Sequence, residues 1–188
     1  MKREIVLILG GARSGKSRFA QGLADSLSQR VLFVAPLLAM DEEMRRRIEI
    51  HKKARPSTWR TLETPTHVAE AIADHIGDAD VIILDCLSLL ISNYMENAPD
   101  PEDIDALESD ISGELSQLLE RKERKNASLI IVSNEVGLGL VPPYPSGRAY
   151  RDLLGKANQF VAERADKVYM MIAGLPMELK APGRKDEE

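Results

Sequence analysis

The octapeptide Gly10-Gly11-Ala12-Arg13-Ser14-Gly15-Lys16-Ser17 constrains this chain more than any other stretch. It fits G-x-x-x-x-G-K-[ST], with an apolar run from Glu4 to Leu9 before it and a helical pattern from Ser17 to Leu27 after it. Glycines let the backbone curl, so that successive N–H groups and the start of the helix point at phosphate oxygens. Lys16 is placed to reach the outer phosphates, and the Ser17 hydroxyl to bind Mg²⁺. A strand feeding such a loop predicts an α/β fold with its site at the strand ends.

Further apolar runs occur at Val31–Ala35, Val81–Leu84, Leu129–Val132 and Val168–Ile172. They are continuous in hydrophobicity, as strands buried on both faces are, and helical patterns lie between them. The spacing predicts helices over Asp41–Ala54, Thr66–Ile76, Ile104–Arg124 and Arg148–Ala165, with Gly137–Gly147 as a long loop. A mostly parallel central sheet between two helical layers follows. The 188 residues suit one domain over residues 1–180, with a polar tail over 181–188.

Val81-Ile82-Ile83-Leu84-Asp85 ends an apolar strand on a carboxylate, the position of a magnesium partner to a phosphate loop. A turn or capping aspartate has the same local pattern. The phosphate loop by itself admits kinase, motor and recombinase chemistry; a switch GTPase is disfavoured because no N-K-x-D motif follows a strand. With 25 Lys and Arg against 30 Asp and Glu, the net charge of −5 argues against nucleic acid as a partner. The single cysteine, Cys86, excludes a disulfide framework and reads as a small buried residue in a cytoplasmic protein. No apolar run is long enough for a membrane span, so a soluble protein is expected.

Between Arg45 and Arg60 lie seven cations and one acid, a local charge of +6 that suits a nucleoside triphosphate. Met44, Ile48 and His51 share one side of the predicted helix. Surrounding cations favour neutral imidazole, whose lone pair can attack phosphorus. Residue type and spacing alone favour a hydrogen-bonded histidine beside an apolar face, or a surface cation patch of no special role, over a nucleophile.

Five separated blocks then occur in order. They are the phosphate loop; Asp41-x-Glu43-Met44-x-x-Arg47-Ile48-x-x-His51-Lys52-x-x-Arg55-Pro56-x-x-Trp59-x-Thr61-x-Glu63; Asp85-Cys86-Leu87-Ser88; Asn134-Glu135-Val136-Gly137-x-Gly139-x-Val141-Pro142; and Arg151-Asp152-x-x-Gly155-x-x-Asn158-Gln159. From about Glu4 to Lys180 the chain resembles the bifunctional adenosylcobinamide kinase / adenosylcobinamide-phosphate guanylyltransferase family of cobalamin biosynthesis.

The resemblance implies a three-layer P-loop NTPase fold of RecA-like type and a homotrimer. It implies ATP and GTP as substrates, Mg²⁺ as cofactor, and adenosylcobinamide and adenosylcobinamide phosphate as acceptors. It makes Lys16 and His51 catalytic, His51 carrying the guanylyl group covalently. Nucleotide contacts are implied at Gly10, Gly11, Ala12, Arg13, Ser14, Gly15, Lys16 and Ser17, at Lys52, Lys53, Ala54 and Arg55, and at Glu63 and Asp85. Ser17 and Asp85 would hold the metal. Where members carry Ala-Thr and a small or polar residue, this chain has Ala35-Pro36-Leu37-Leu38, so contacts at Pro36, Leu37 and Leu38 would come from the backbone or be absent.

Overall fold

The computed structural model describes residues 3–37 and 56–181. The predicted helix over residues 41–54 and the polar tail from residue 182 onward lie outside them. Within the described residues the elements run β1 (Ile5–Gly10), α1 (Lys16–Leu27), β2 (Val31–Ala35), β3 (Arg60–Glu63), α2 (Val68–His75), β4 (Val81–Asp85), α3 (Leu87–Asn97), α4 (Ile104–Lys125), β5 (Ser128–Val132), α5 (Pro145–Arg164), β6 (Lys167–Ile172) and β7 (Leu175–Lys180).

The strands form one sheet in the order β3-β2-β4-β5-β1-β6-β7. All pairs are parallel except β6 with β7. Alternation along each strand divides the core. Ile5, Leu7, Leu32, Val34, Ile82, Leu84, Leu129 and Ile131 turn to the face covered by α2, α3, α4 and α5. Val6, Ile8, Val31, Phe33, Val81, Ile83, Ile130 and Val132 turn to the other face, where Ala20 and Ala24 of α1 meet them. Continuous apolar runs were therefore needed, because neither face of these strands reaches water.

Five of the seven strands match the apolar runs of the sequence. Two did not announce themselves. β3, Arg-Thr-Leu-Glu, is largely exposed and exists because it completes the edge beside β2, with Ala35 opposite Glu63. β7 is almost wholly exposed and is set by a two-residue turn, Ala173-Gly174, whose φ values of 51 and 85 suit the tight reversal of a type I′ hairpin. Helix α3 was also not expected. Leu87, Leu90 and Ile91 are buried together with Ser88 and Asn93, so it lacks the polar face by which an amphipathic helix is recognised.

Two helix starts differ from the sequence reading. α5 begins at Pro145, with proline in the first turn, which shortens the expected loop of residues 137–147. α2 begins at Val68, and its free N–H groups are met from a distance: buried Glu114 of α4 accepts from Ala69 N at 2.7 Å. No described helix is long and apolar enough to cross a membrane.

Candidate active site at the strand ends

The loop from Gly10 to Gly15 leaves the carboxyl end of β1 and enters α1 at Lys16. Gly15 has φ +96, and a Cβ there would lie 3.2 Å from Gly174 Cα, so only glycine fits the close approach of the β6–β7 turn. That turn is tied to the loop, since Gly174 N donates to Ser14 O at 2.9 Å. Residues 13–18 with Ala173 and Gly174 enclose a cavity of about 460 Å³. Sequence reasoning missed the contribution of Ala173-Gly174; the dipeptide between two apolar runs was the available signal.

Lys16 is buried and its ammonium donates to Gly11 O at 2.7 Å. Burial holds it below the ordinary lysine value, against the opposing pull of Cys86 and Asp85. Those two residues end β4 and begin the turn into α3, so the fold brings the strand-end carboxylate of Asp85 within electrostatic reach of the lysine. Ser17, in the first turn of α1, and Asp85 offer a hydroxyl and a carboxylate, the hard oxygen donors Mg²⁺ takes when phosphates and water complete its shell. Among the described residues no three His, Cys, Asp or Glu side chains form a metal cage, and a phosphate-borne Mg²⁺ needs none.

Cys86 is partly buried and packs against the core, close to the sequence reading of a small buried residue. It belongs to a polar chain behind the loop. Its Sγ lies 2.9 Å from Ser88 Oγ, which accepts from Asn134 Nδ2 at 3.0 Å, while Asn158 Nδ2 donates to Asn134 O at 3.1 Å. Tyr150 OH donates to Ser88 O at 3.2 Å. Burial pushes both the Cys86 thiol and the Tyr150 phenol up, so both stay protonated donors at neutral pH. Glu135 N donates to Gly10 O at 3.1 Å, and its carboxylate accepts from Gly137 N at 2.5 Å, shaping its own loop.

Residues 6–179 match the family model described as cobinamide kinase / cobinamide phosphate guanyltransferase. The chain belongs to this family. It is 37% identical over 181 residues to the bifunctional adenosylcobalamin biosynthesis protein CobU of Escherichia coli (strain K12), covering 94% of this chain and 99% of that protein. It is 42% identical over 174 residues to the bifunctional adenosylcobalamin biosynthesis protein CobP of Pseudomonas aeruginosa, covering 93% and 96%. Two solved structures share the fold. The flagellar accessory protein FlaH of Methanocaldococcus jannaschii superposes with a TM-score of 0.50 at 18% identity, over 95% of this chain and 79% of that one. A second structure, of an isolated ATPase domain, does so at 0.51 and 14%, over 89% and 69%. These likenesses show the fold alone, a mostly parallel α/β sheet of RecA-like type, in agreement with the fold expected from the sequence.

Of the positions singled out for the cobinamide kinase / guanyltransferase family, Gly10 to Ser17 and Asp85 come together around Lys16. Pro36 and Leu37 follow β2, where Asn93 Nδ2 donates to Pro36 O at 3.0 Å, and Glu63 ends β3. These lie on the same edge of the sheet but far along it. β2 is three strand steps from β1 and β3 four, roughly 14 and 19 Å at the usual spacing. Leu38, His51, Lys52, Lys53, Ala54 and Arg55 lie outside the described residues.

Proposed function

We propose that this member of the family carries out two successive transfers. A nucleoside triphosphate first phosphorylates the hydroxyl of the aminopropanol arm of adenosylcobinamide. GTP then gives its guanylyl group to His51 with release of pyrophosphate, and the cobinamide phosphate takes that group from the histidine to leave adenosylcobinamide-GDP. A neutral imidazole nitrogen attacks the α-phosphorus, and the P–N bond formed breaks readily when a phosphate oxygen attacks in turn.

The observation that carries this reading is the union of an intact phosphate loop, its lysine within the electrostatic influence of Asp85, with a family match that runs through the segment holding His51. Lys16 and the loop N–H groups would hold the outer phosphates of the first donor. Mg²⁺, when bound through Ser17 and Asp85, would offset charge on the phosphate oxygens. Lys52, Lys53 and Arg55 would do the same for the guanine nucleotide, with Ala54, Pro36, Leu37, Leu38 and Glu63 completing its contacts. A homotrimer is part of the proposal, and its mass in solution tests it.

The experiment is incubation with Mg²⁺ and GTP labelled on the α-phosphate, without acceptor, followed by denaturation and counting of protein-bound label. The wild type should hold label that is acid-labile and base-stable, and His51→Ala none while still phosphorylating adenosylcobinamide. Absence of label on folded, nucleotide-binding wild type would refute the histidine intermediate.

A further inference from the structure

Two clefts flank the phosphate loop. The cavity over residues 13–18 continues along α1 into a hollow of about 390 Å³ lined by Arg18, Phe19, Gly22 and Leu23. On the opposite side, toward β5, a larger cleft of about 590 Å³ opens between Glu135–Gly137 and the α5 residues Arg151, Asp152, Gly155 and Gln159. One of its lining residues reaches the loop, since Glu135 N is bonded to Gly10 O. A triphosphate that fills the first side therefore has a second, separate cleft beyond its loop.

The wall of that cleft is built and held. Arg151 Nη2 donates to Gly137 O at 2.9 Å, and buried Asn158 ties α5 to the end of β5 through Asn134 O. Gly155 leaves the α5 side open: a Cβ there meets no heavy atom within 4 Å. Immediately after Gly137 of the cleft wall the chain continues into Leu138, Leu140 and Val141, three large apolar side chains exposed at 83%, 96% and 67%. Amide, guanidinium and carboxylate groups in a cleft whose wall runs on into an exposed apolar segment match a large ring that has apolar faces and a fringe of primary carboxamides.

We infer that this cleft receives the acceptor, its hydroxyl-ended arm reaching in toward Gly10 and its ring resting against the residues 138–141 rim. The inference rests on the two-step reading above. Gln159 is placed to hydrogen-bond a carboxamide, Arg151 keeps the Gly137 turn in position, and Gly155 provides the room. The geometry separates donor and acceptor onto the two sides of one loop, which is the arrangement transfer between them requires.

The test compares wild type, Gly155→Leu and Gln159→Ala in steady-state phosphorylation of adenosylcobinamide, with nucleotide affinity and acceptor-free labelling measured alongside. Gly155→Leu fills the cleft and should raise KM for adenosylcobinamide about tenfold or more, with the nucleotide dissociation constant held within about twofold. Gly113→Leu, the same change on α4 where a Cβ also meets open space, controls for the cost of leucine on a helix. Gln159 is exposed, so Gln159→Ala will fold, and it should raise the same KM by about threefold. KM unchanged in Gln159→Ala, or in folded Gly155→Leu, overturns the assignment of the cleft while the labelling result stands. Wild type that neither takes label nor phosphorylates adenosylcobinamide overturns the two-step reading and this inference with it.

Discussion

The Lys16 ammonium lies 2.7 Å from the Gly11 carbonyl oxygen of its own loop. The cation that is to meet phosphate is thus held in the cradle by the backbone, within the field of Asp85 and shielded from water by burial. A phosphate exchanges one oxygen partner for another instead of recruiting a distant flexible side chain, which limits the entropy lost on binding.

Lys16→Met should therefore separate function from stability. Phosphorylation of adenosylcobinamide should fall by about 10² or more, the usual cost of one missing donor to a transferring phosphoryl group. Stability moves the other way. A lysine whose folded value lies below its unfolded one penalises the folded state at neutral pH, and the penalty fades as pH rises toward the unfolded value. Thermal melts of ligand-free protein should show Lys16→Met at least as stable as wild type at pH 7, with the advantage shrinking toward pH 10. A mutant that phosphorylates at the wild-type rate would remove Lys16 from the reaction.

Asp85→Asn tests the metal position. The amide keeps the shape of the β4 end but loses the charge that draws Mg²⁺, so half-maximal phosphorylation should need about tenfold more Mg²⁺. Thermal melts of Asp85→Asn beside wild type check that the fold is kept. An unchanged Mg²⁺ titration would return Asp85 to a structural role.

Away from the site, Glu114 accepts from both Ala69 N and Tyr94 OH, at 2.7 and 2.8 Å. Glu114→Ala leaves two donors without a partner where α2, α3 and α4 meet, and should cost about 2–4 kcal/mol in urea unfolding. Burial, and next the Glu114 carboxylate, hold the Tyr94 phenol well above its ordinary value. The unfolded chain then loses this proton first, so stability falls as pH rises through the ordinary tyrosine value near 10. Tyr94→Phe should flatten the decline in Tm between pH 9 and 11; an equally steep decline would show that other groups cause it.

The phosphate loop, the strand that feeds it and the helix that leaves it were legible because the sequence must meet all three requirements within 23 residues, Ile5 to Leu27. The apolar runs were legible because strands covered on both faces admit few polar residues. Asp85 was legible as the carboxylate that ends such a run. Helix α3 was not, since a helix buried on most sides loses the period by which helices are read. Strands β3 and β7 were not, since an edge strand is defined by the neighbour it pairs with and not by its own hydrophobicity.

The sequence by itself determined which candidate groups the chain carries: a glycine-rich loop with its lysine and serine, a strand-end aspartate, and a histidine among cations. Local backbone geometry and residue type suffice for these, because each motif works through atoms a few residues apart. Tertiary structure alone decided how they are arranged. Strand order sets Asp85 beside Lys16 and Glu63 four strands from Gly10, the β6–β7 turn closes on Gly15, and α5 forms the second cleft against the end of β5. Such relations depend on packing between segments as much as 160 residues apart, Ser14 and Gly174 among them, and no local pattern encodes which strand lies next to which.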